Sequence, residues 1–403
     1  MVQVAVFGFG TVGSGVVEVI EKNQKEISKR AATELNVKYV LDLRDFPGNP
    51  IQDKIVHDVE TILGDETISI ICETMGGLEP AYTYTKKALA SGKSVCTSNK
   101  ELVAAHGPEL IALARENNCN YLFEASVGGG IPIIRPLNSA LTAEKIDRVY
   151  GILNGTTNYI LTRMEKDGAD FETVLKEAQE KGYAERNPAA DVEGYDACRK
   201  IAILSSLIYG KNVNYENIYT EGITKITPAD FAYAKELDCQ IKLIALNETR
   251  EDGKFAMVSP RMITAESPLT CVQDVFNGIL IHSNMLGSSL YYGRGAGKLP
   301  TASAVVGDVI DCAKHAGKNI WCFWEEEEET LCDIADFKQK YFVRISGLVE
   351  DKKDAVTAAF GETKFVTTKE VQGEFAVVTS EMSEREYHEA AKKIEGILSM
   401  IRM

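Results

Sequence analysis

The chain opens on a short apolar run of buried-strand character, Val2 to Phe7, and changes at once to a helical repeat, S-G-V-V-E-V-I-E from Ser14. Further strand patterns fall at Val37 to Leu41, Ser69 to Glu73 and Ser94 to Thr97, with a helical pattern from Pro80 to Ser91 between the last two. Strands and helices alternating at this spacing predict a parallel, doubly wound sheet. Val149 to Leu153 reads as another strand, Ile241 to Ala245 and Phe255 to Arg261 as strands of a second, mixed sheet, and Thr301 to Ala313 as a helix. The pattern changes again near residue 341. There the order is strand K-Y-F-V-R-I-S-G-L-V, helix D-K-K-D-A-V-T-A-A-F, strands near Lys364 to Glu370 and Glu374 to Thr379, helix Ser383 to Gly396, and strand I-L-S-M-I-R. That is βαββαβ, the ferredoxin-like order.

The first strand runs into G-F-G-T-V-G, residues Gly8, Phe9, Gly10, Thr11, Val12 and Gly13. A strand, a glycine turn and a helix N-terminus are the parts of a dinucleotide site. Gly8 allows the tight turn, Gly10 lets backbone approach a pyrophosphate, and Gly13 lets helix and strand come close. The second strand ends in D-L-R-D. Asp42 suits a ribose hydroxyl and hence NAD, Arg44 a 2′-phosphate and hence NADP, and the residues leave both open. S-N-K-E-L-V-A follows the strand ending at Thr97, which puts Lys100 at the carboxyl edge of a parallel sheet. That edge is where ligands bind, although a surface lysine fits the pattern too.

Three later stretches carry more chemistry. Tyr121 to Leu137 holds three consecutive glycines, either a hinge or a turn whose carbonyls converge on a hard cation. N-G-T-T-N bunches Asn154, Thr156, Thr157 and Asn158 at a strand-to-helix turn, more polar groups than capping needs. Glu185 to Lys200 is rich in acids. Pro188 and Gly194 make its first half a loop, and Asp196 and Lys200 lie four apart on the helix that follows. Such a pair is by default a surface ion pair contributing little, with a substrate site as the alternative. A second glycine cluster, Y-Y-G-R-G-A-G-K, precedes the helix at 301.

Composition narrows the field. In 403 residues, 45% are apolar and 26% charged, which is ordinary for a globular protein of two or three domains. A net charge of −15 argues against nucleic acid and anionic membrane as partners. No stretch is long enough to span a bilayer, and no basic, apolar leader precedes the first strand. Nine scattered cysteines without a C-x-x-C pair point to a reducing cytoplasm, and five histidines without ligand spacing argue against zinc.

The glycine turn, S-N-K-E-L-V-A, E-A-S-V-G-G-G-I-P-I-I, N-G-T-T-N-Y-I-L, A-A-D-V-E-G-Y-D-A-C-R-K and G-R-G-A-G-K-L-P-T-A-S-A-V-V-G-D occur in that order. In this the chain resembles the monofunctional bacterial homoserine dehydrogenases over essentially its whole length. The resemblance implies NAD(P)-dependent interconversion of L-homoserine and L-aspartate 4-semialdehyde, on the route to threonine, methionine and isoleucine. It implies a Rossmann-type domain over 1–135, an α+β catalytic and dimerisation domain with a mixed sheet over 136–320, and an ACT-like regulatory domain over 341–403. Residues 321–340, with the acid run Glu325 to Glu329, read as a solvated linker between them.

Residue by residue, Lys200 is similar to the catalytic acid/base, with Lys100 beside it at the reacting oxygen and Asp196 orienting Lys200. Glu185 resembles the group holding the substrate ammonium, and Asp191 and Thr156 complete the substrate pocket. Cofactor contacts are implied for the glycine turn, Arg44, Ser98, Lys100 and Gly297. Glu124, Val127, Gly129 and Ile131 resemble a monovalent cation site (Na+) made largely of backbone oxygens. At least a homodimer is implied, through the regions around 136–150 and 296–315. The chemistry is coherent by itself, because hydride leaves an alcohol carbon only as the hydroxyl proton is taken, and a lysine beside another lysine suits that task. One departure concerns an amino-acid effector. Where the ACT pattern carries a glycine after its first strand, this chain aligns Asp354, whose side chain would block close approach to the backbone.

Overall fold

A computed structural model describes all 403 residues, which divide into two units, each discontinuous in sequence. The first comprises residues 1–144, 202–215 and 293–329. Its sheet contains β1 (Val2–Phe7), β2 (Leu35–Leu41), β3 (Ile55–Val56), β4 (Ile68–Glu73), β5 (Ser94–Thr97) and β6 (Tyr121–Leu122), all parallel, in the order β3-β2-β1-β4-β5-β6. This is the doubly wound Rossmann order, whose switch point lies between β1 and β4. The strands are nearly continuous runs of Val, Ile and Cys because helices cover both faces of a parallel sheet.

The helix Lys298–Lys314 belongs to this unit. Ala302, Val305, Val306, Val309 and Cys312 join Val16, Val17 and Ile20 of the first helix in one core. The fit is close: a Cβ on Gly15 would lie 2.8 Å from the Lys298 carbonyl oxygen. The acid run is not a patternless linker. Glu325–Glu328 form a strand parallel to Lys211–Asn212, Lys211 Nζ meets Glu327 at 2.7 Å, and the preceding Trp324 is buried against Gly107. An exposed edge tolerates the run, since the four glutamates of the strand are exposed to water while the backbone pairs.

The second unit comprises residues 145–201, 216–292 and 330–403. Its main strands are β7 (Ile146–Ile152), β8 (Cys239–Arg250), β9 (Gly253–Thr264), β10 (Phe276–Ser283), β11 (Gly287–Arg294), β12 (Tyr341–Ser346), β13 (Thr363–Val366), β14 (Glu374–Thr379) and β15 (Ile397–Arg402). They form one sheet in the order β11-β10-β7-β8-β9-β15-β12-β14-β13, with the short strand Tyr219–Thr220 also on β9. β8 and β9 pair antiparallel along all twelve residues, longer than the apolar runs suggested, because buried Asn247 and Glu248 stay in the ladder. The helix Gly155–Asp167 packs on β8 and β10, and Pro228–Glu236 on β8.

The last four strands, with helices Val349–Phe360 and Glu384–Ala391, close their own core of Tyr341, Val343, Ile345, Phe375, Val377 and Tyr387. They continue the larger sheet through the parallel contact of Arg402 in β15 with Arg261 in β9. Two buried arginines fasten the junction. Arg344 meets Asp230 at 3.0 Å and Glu374 at 2.7 Å, and Arg402 meets Glu384 and Glu221 at 2.5 Å. Asp354 does not occupy the turn after β12. The helix begins at Val349, so Asp354 lies exposed in its second turn, and the turn is made by Gly347 at φ +104°. No helix of the chain is long and apolar enough to cross a membrane.

Candidate active site

The carboxyl edge of the first sheet is built around its glycine turn. Gly8 takes φ +88°, and a Cβ at Gly13 would collide with the Gly8 carbonyl, so both positions require glycine. Gly10 caps the helix Thr11–Lys22 without a side-chain acceptor, and no acid stands in its first turn. Its leading amides are therefore left without a side-chain acceptor, which suits an anion. Phe9 donates its amide to Asp42 Oδ2 at 2.8 Å. Asp42 also accepts from the Arg44 amide at 2.9 Å and from its guanidinium at 3.0 Å. The Arg44 guanidinium beside it, with these amides, holds the Asp42 carboxyl well below the usual range. Arg44 itself is 62% exposed at the side chain and lies over the Phe46 ring.

Lys100 is the first residue of the helix Lys100–Glu116, and Asn99 caps it by accepting the Leu102 amide at 3.2 Å. Behind this turn stands Glu73, at the end of β4 and wholly buried. It accepts from Thr97 Oγ1 at 2.6 Å and the Met75 amide at 2.8 Å. Thr97 Oγ1 in turn accepts the Asn99 amide at 2.9 Å, and Asn99 Nδ2 donates to the Gly77 carbonyl at 2.6 Å. Burial pushes the Glu73 carboxyl up against the pull of these donors. Glu73 and Thr97 thus set the segment holding Ser98 and Lys100. The sequence reading missed them; the signal was an acid ending an otherwise apolar strand, I-S-I-I-C-E.

The three glycines at 128–130 make a turn against the second glycine cluster, where a Cβ on Gly129 would strike the Gly295 carbonyl. Gly297, at φ +116°, then caps the helix Lys298–Lys314. The Glu124 carboxylate is fully engaged by the amides of Ile133, Ile134 and Arg135 at 2.5–2.8 Å, so it braces the turn. The carbonyl oxygens of Val127, Gly129 and Ile131 accept no hydrogen bond. No group of three or more His, Cys, Asp or Glu side chains could hold a metal. The donor set available here is thus carbonyl oxygen, which fits a hard cation.

In the second unit, the acid-rich stretch wraps the start of the helix Tyr195–Tyr209. Its first half is not all loop, since Ala189–Val192 form one helical turn. Lys200 Nζ donates to Asp196 Oδ2 at 2.6 Å and to the Leu153 carbonyl at 2.8 Å. The pair is buried, with side chains 10% and 5% exposed, so it is not the weak surface pair its spacing allows. Asn154 ties the cluster together. Its Nδ2 donates to Asp191 Oδ1 at 2.7 Å and Asp196 Oδ2 at 2.9 Å, while its Oδ1 caps the helix Gly155–Asp167 by accepting the Thr157 amide. Thr156 donates its hydroxyl to the Tyr183 carbonyl at 2.6 Å and so braces the loop. Asn158 Nδ2 is spent on the carbonyls of Val272, Asp274 and Phe276. Glu185 is exposed, and its carboxylate makes no hydrogen bond or ion pair. A lysine held by a carboxylate and a carbonyl, with further acids around it, can exchange a proton with a polar substrate and hold a cationic one.

These features accord with the comparisons. A model of the homoserine dehydrogenase NAD-binding domain matches residues 8–124, and the homoserine dehydrogenase model matches 132–310. The homoserine dehydrogenase of Bacillus subtilis is 35% identical over 98% of this chain and 95% of its own. That of Synechocystis is 45% identical over 77% of this chain and 73% of its own. The crystal structure of a homoserine dehydrogenase from Thiobacillus denitrificans superposes with TM-score 0.92 at 33% identity, covering 100% of this chain and 97% of that one. A hyperthermophilic archaeal homoserine dehydrogenase in complex with NADPH covers 77% of this chain and 97% of its own, with TM-score 0.66 and 30% identity. The chain belongs to the homoserine dehydrogenase family and is an oxidoreductase acting on a hydroxyl group with NAD(P).

Proposed function

We propose that the protein interconverts L-homoserine and L-aspartate 4-semialdehyde with Lys200 as the acid/base. The observation carrying this reading is the buried Lys200, fixed by Asp196 Oδ2 and the Leu153 carbonyl. The two acceptors set the direction of Nζ, so that the ammonium gives a proton to the carbonyl oxygen of the semialdehyde as hydride reaches its carbon, and the neutral amine left behind is the base that takes the hydroxyl proton in the reverse direction. The nicotinamide, when bound, accepts or supplies that hydride. Asp196 and Asn154 hold Lys200 and Asp191 in place, Glu185 receives the substrate ammonium, and Lys100 stabilises negative charge growing on the reacting oxygen.

The glycine turn holds the pyrophosphate at the amides after Gly10. NADP is the preferred form, because Asp42 is already taken up by Arg44 and Phe9, whereas the Arg44 guanidinium is exposed to a 2′-phosphate. The carbonyls of Glu124, Val127, Gly129 and Ile131 hold a monovalent cation such as Na+. Residues 341–403 form an ACT-type domain able to take an amino-acid effector; at the turn after β12 the effector must displace the Lys352 side chain, which lies over Gly347. The enzyme works as a homodimer or higher oligomer in the cytoplasm.

The experiment is turnover of L-homoserine by the purified protein with NADP+ and with NAD+, with and without threonine. Reduction with NADP+ favoured is the expected result, and inhibition by threonine would assign the effector. Folded protein that binds NADPH yet turns over neither cofactor overturns the assignment.

A further inference from the structure

We infer that the second unit carries an additional ligand site, a cavity at the junction of its two sheet halves that takes a small organic carboxylate with an apolar body. The cavity is about 470 Å³, in the range of small-molecule sites, and contains none of the residues assigned to the reaction. Its walls come from β8 and β9 on one side and from the last strands of the chain on the other. Ile244, Leu269 and Val378 supply apolar surface, and Arg261, Lys340 and Lys364 supply the charge.

Arg261 is the telling residue. The unit buries three arginines in this region. Arg344 and Arg402 are each paired with two acids, whereas Arg261 is equally buried and meets no Asp or Glu side chain. Its guanidinium donates to Gln339 Oε1 and to the Met403 carbonyl at 3.1 Å, and touches Met257 Sδ at 3.4 Å. The nearby Glu248 is taken by Tyr150 and Arg250. Burial pulls the Arg261 pKa down to about 10. Lys340 and Lys364 are exposed at the rim and make no ion pair. A charge on Met403 would meet Arg261 at 3.1 Å, and the cavity would still carry net positive charge from Lys340 and Lys364. A cavity with net positive charge favours an anion, and the apolar wall opposite selects an anion with a hydrocarbon body over a bare phosphate. An occupant would touch β9, where the main strands meet β15, and so would stabilise that junction.

The test is calorimetric titration of the full chain with 4-methylpentanoate, its uncharged analogue 4-methylpentanamide, and inorganic phosphate. The expected result is binding of the carboxylate at least about tenfold tighter than the amide or phosphate, weakened about fivefold or more in Lys340→Ala/Lys364→Ala. These lysines are exposed, so the variant does not depend on the fold surviving loss of Arg261. Equal binding of acid and amide marks a merely apolar cavity and overturns the inference. So does phosphate binding as tightly as the carboxylate, or absence of carboxylate binding up to about 10 mM. A double variant that changes oligomeric state while leaving carboxylate affinity untouched overturns it as well, assigning the lysines to an interface.

Discussion

Replacing Lys200 tests the catalytic reading most directly, but the structure shows that the single variant Lys200→Met cannot be interpreted alone. Nζ lies 2.6 Å from Asp196 Oδ2 with both side chains buried, so removing the cation takes the charge partner from a buried carboxylate that also accepts from Asn154 at 2.9 Å. Breaking a buried pair from one side costs about 3–5 kcal/mol of stability. Loss of an acid/base group lowers rate by about 10²–10⁴, which is ~3–5 kcal/mol of barrier. The two effects have the same size, and a partly unfolded sample would imitate a dead one. The double variant Asp196→Asn/Lys200→Met separates them. It removes both charges while keeping an oxygen for Asn154 Nδ2, so stability should return to within about 1–2 kcal/mol of the parent. Activity should not return. The assay is reduced-nicotinamide formation from L-homoserine beside urea unfolding and NADPH affinity, which both variants should keep. Turnover within about tenfold of the parent in either variant, on folded protein, would refute the role given to Lys200.

Three other perturbations follow from the geometry. Arg44→Ala should raise the KM for NADP+ by about 10–100-fold, the worth of one charge-assisted contact, with NAD+ almost unaffected; equal effects on both cofactors would assign Arg44 to bracing Asp42 alone. Lys242 is wholly buried, donates to the Val272 carbonyl at 2.9 Å, and is pulled down to about 8 by burial. Its folded pKa lies below its unfolded value, so charging it in the fold costs up to about 3 kcal/mol below pH ~8, and that cost disappears as pH rises toward ~10. Lys242→Met should therefore raise the urea midpoint at pH ~7 and lose that advantage near pH ~10; a pH-independent difference would sink the argument. Deleting residues 341–403 should yield aggregating protein, because it opens the β9 edge and leaves buried Asp230 without Arg344; a soluble, fully active truncation would show that the junction is dispensable.

What could be read in the sequence was local. The glycine turn was legible because Gly8, Gly10 and Gly13 sit between an apolar run and a helical repeat, and a side chain is excluded at Gly8 by its positive φ and at Gly13 by the Gly8 carbonyl. Lys100 at a strand end and Lys200 on a helix were legible as positions. Their surroundings were not. Spacing of four is the same for a surface pair and a buried one, and what buries Lys200 is Leu153 and Asn154, more than forty positions earlier. Asn154 looked like one polar group among four, though it alone joins two acids and a helix cap. The acid run was misread because its backbone partner, Lys211–Asn212, lies far away in the chain. Asp354 does not stand at the position of the ACT glycine because the helix already begins at Val349. Gly347, with its positive φ, was the better marker of the turn.

The second unit holds three buried ionic clusters, and their composition separates structure from chemistry. At the junction with the last strands, Arg344 and Arg402 each spread a planar fork over two carboxylates. Arginine suits that role because it keeps its charge at any working pH and fixes its partners' geometry. The third cluster uses lysine, a compact ammonium that holds its partners less rigidly but can give up a proton. A fold needing only a buried cation beside Asp196 would be served better by arginine. The lysine there, set by two acceptors and surrounded by acids on a helix start, has the one property the other two lack, and that property is the one an alcohol oxidation needs.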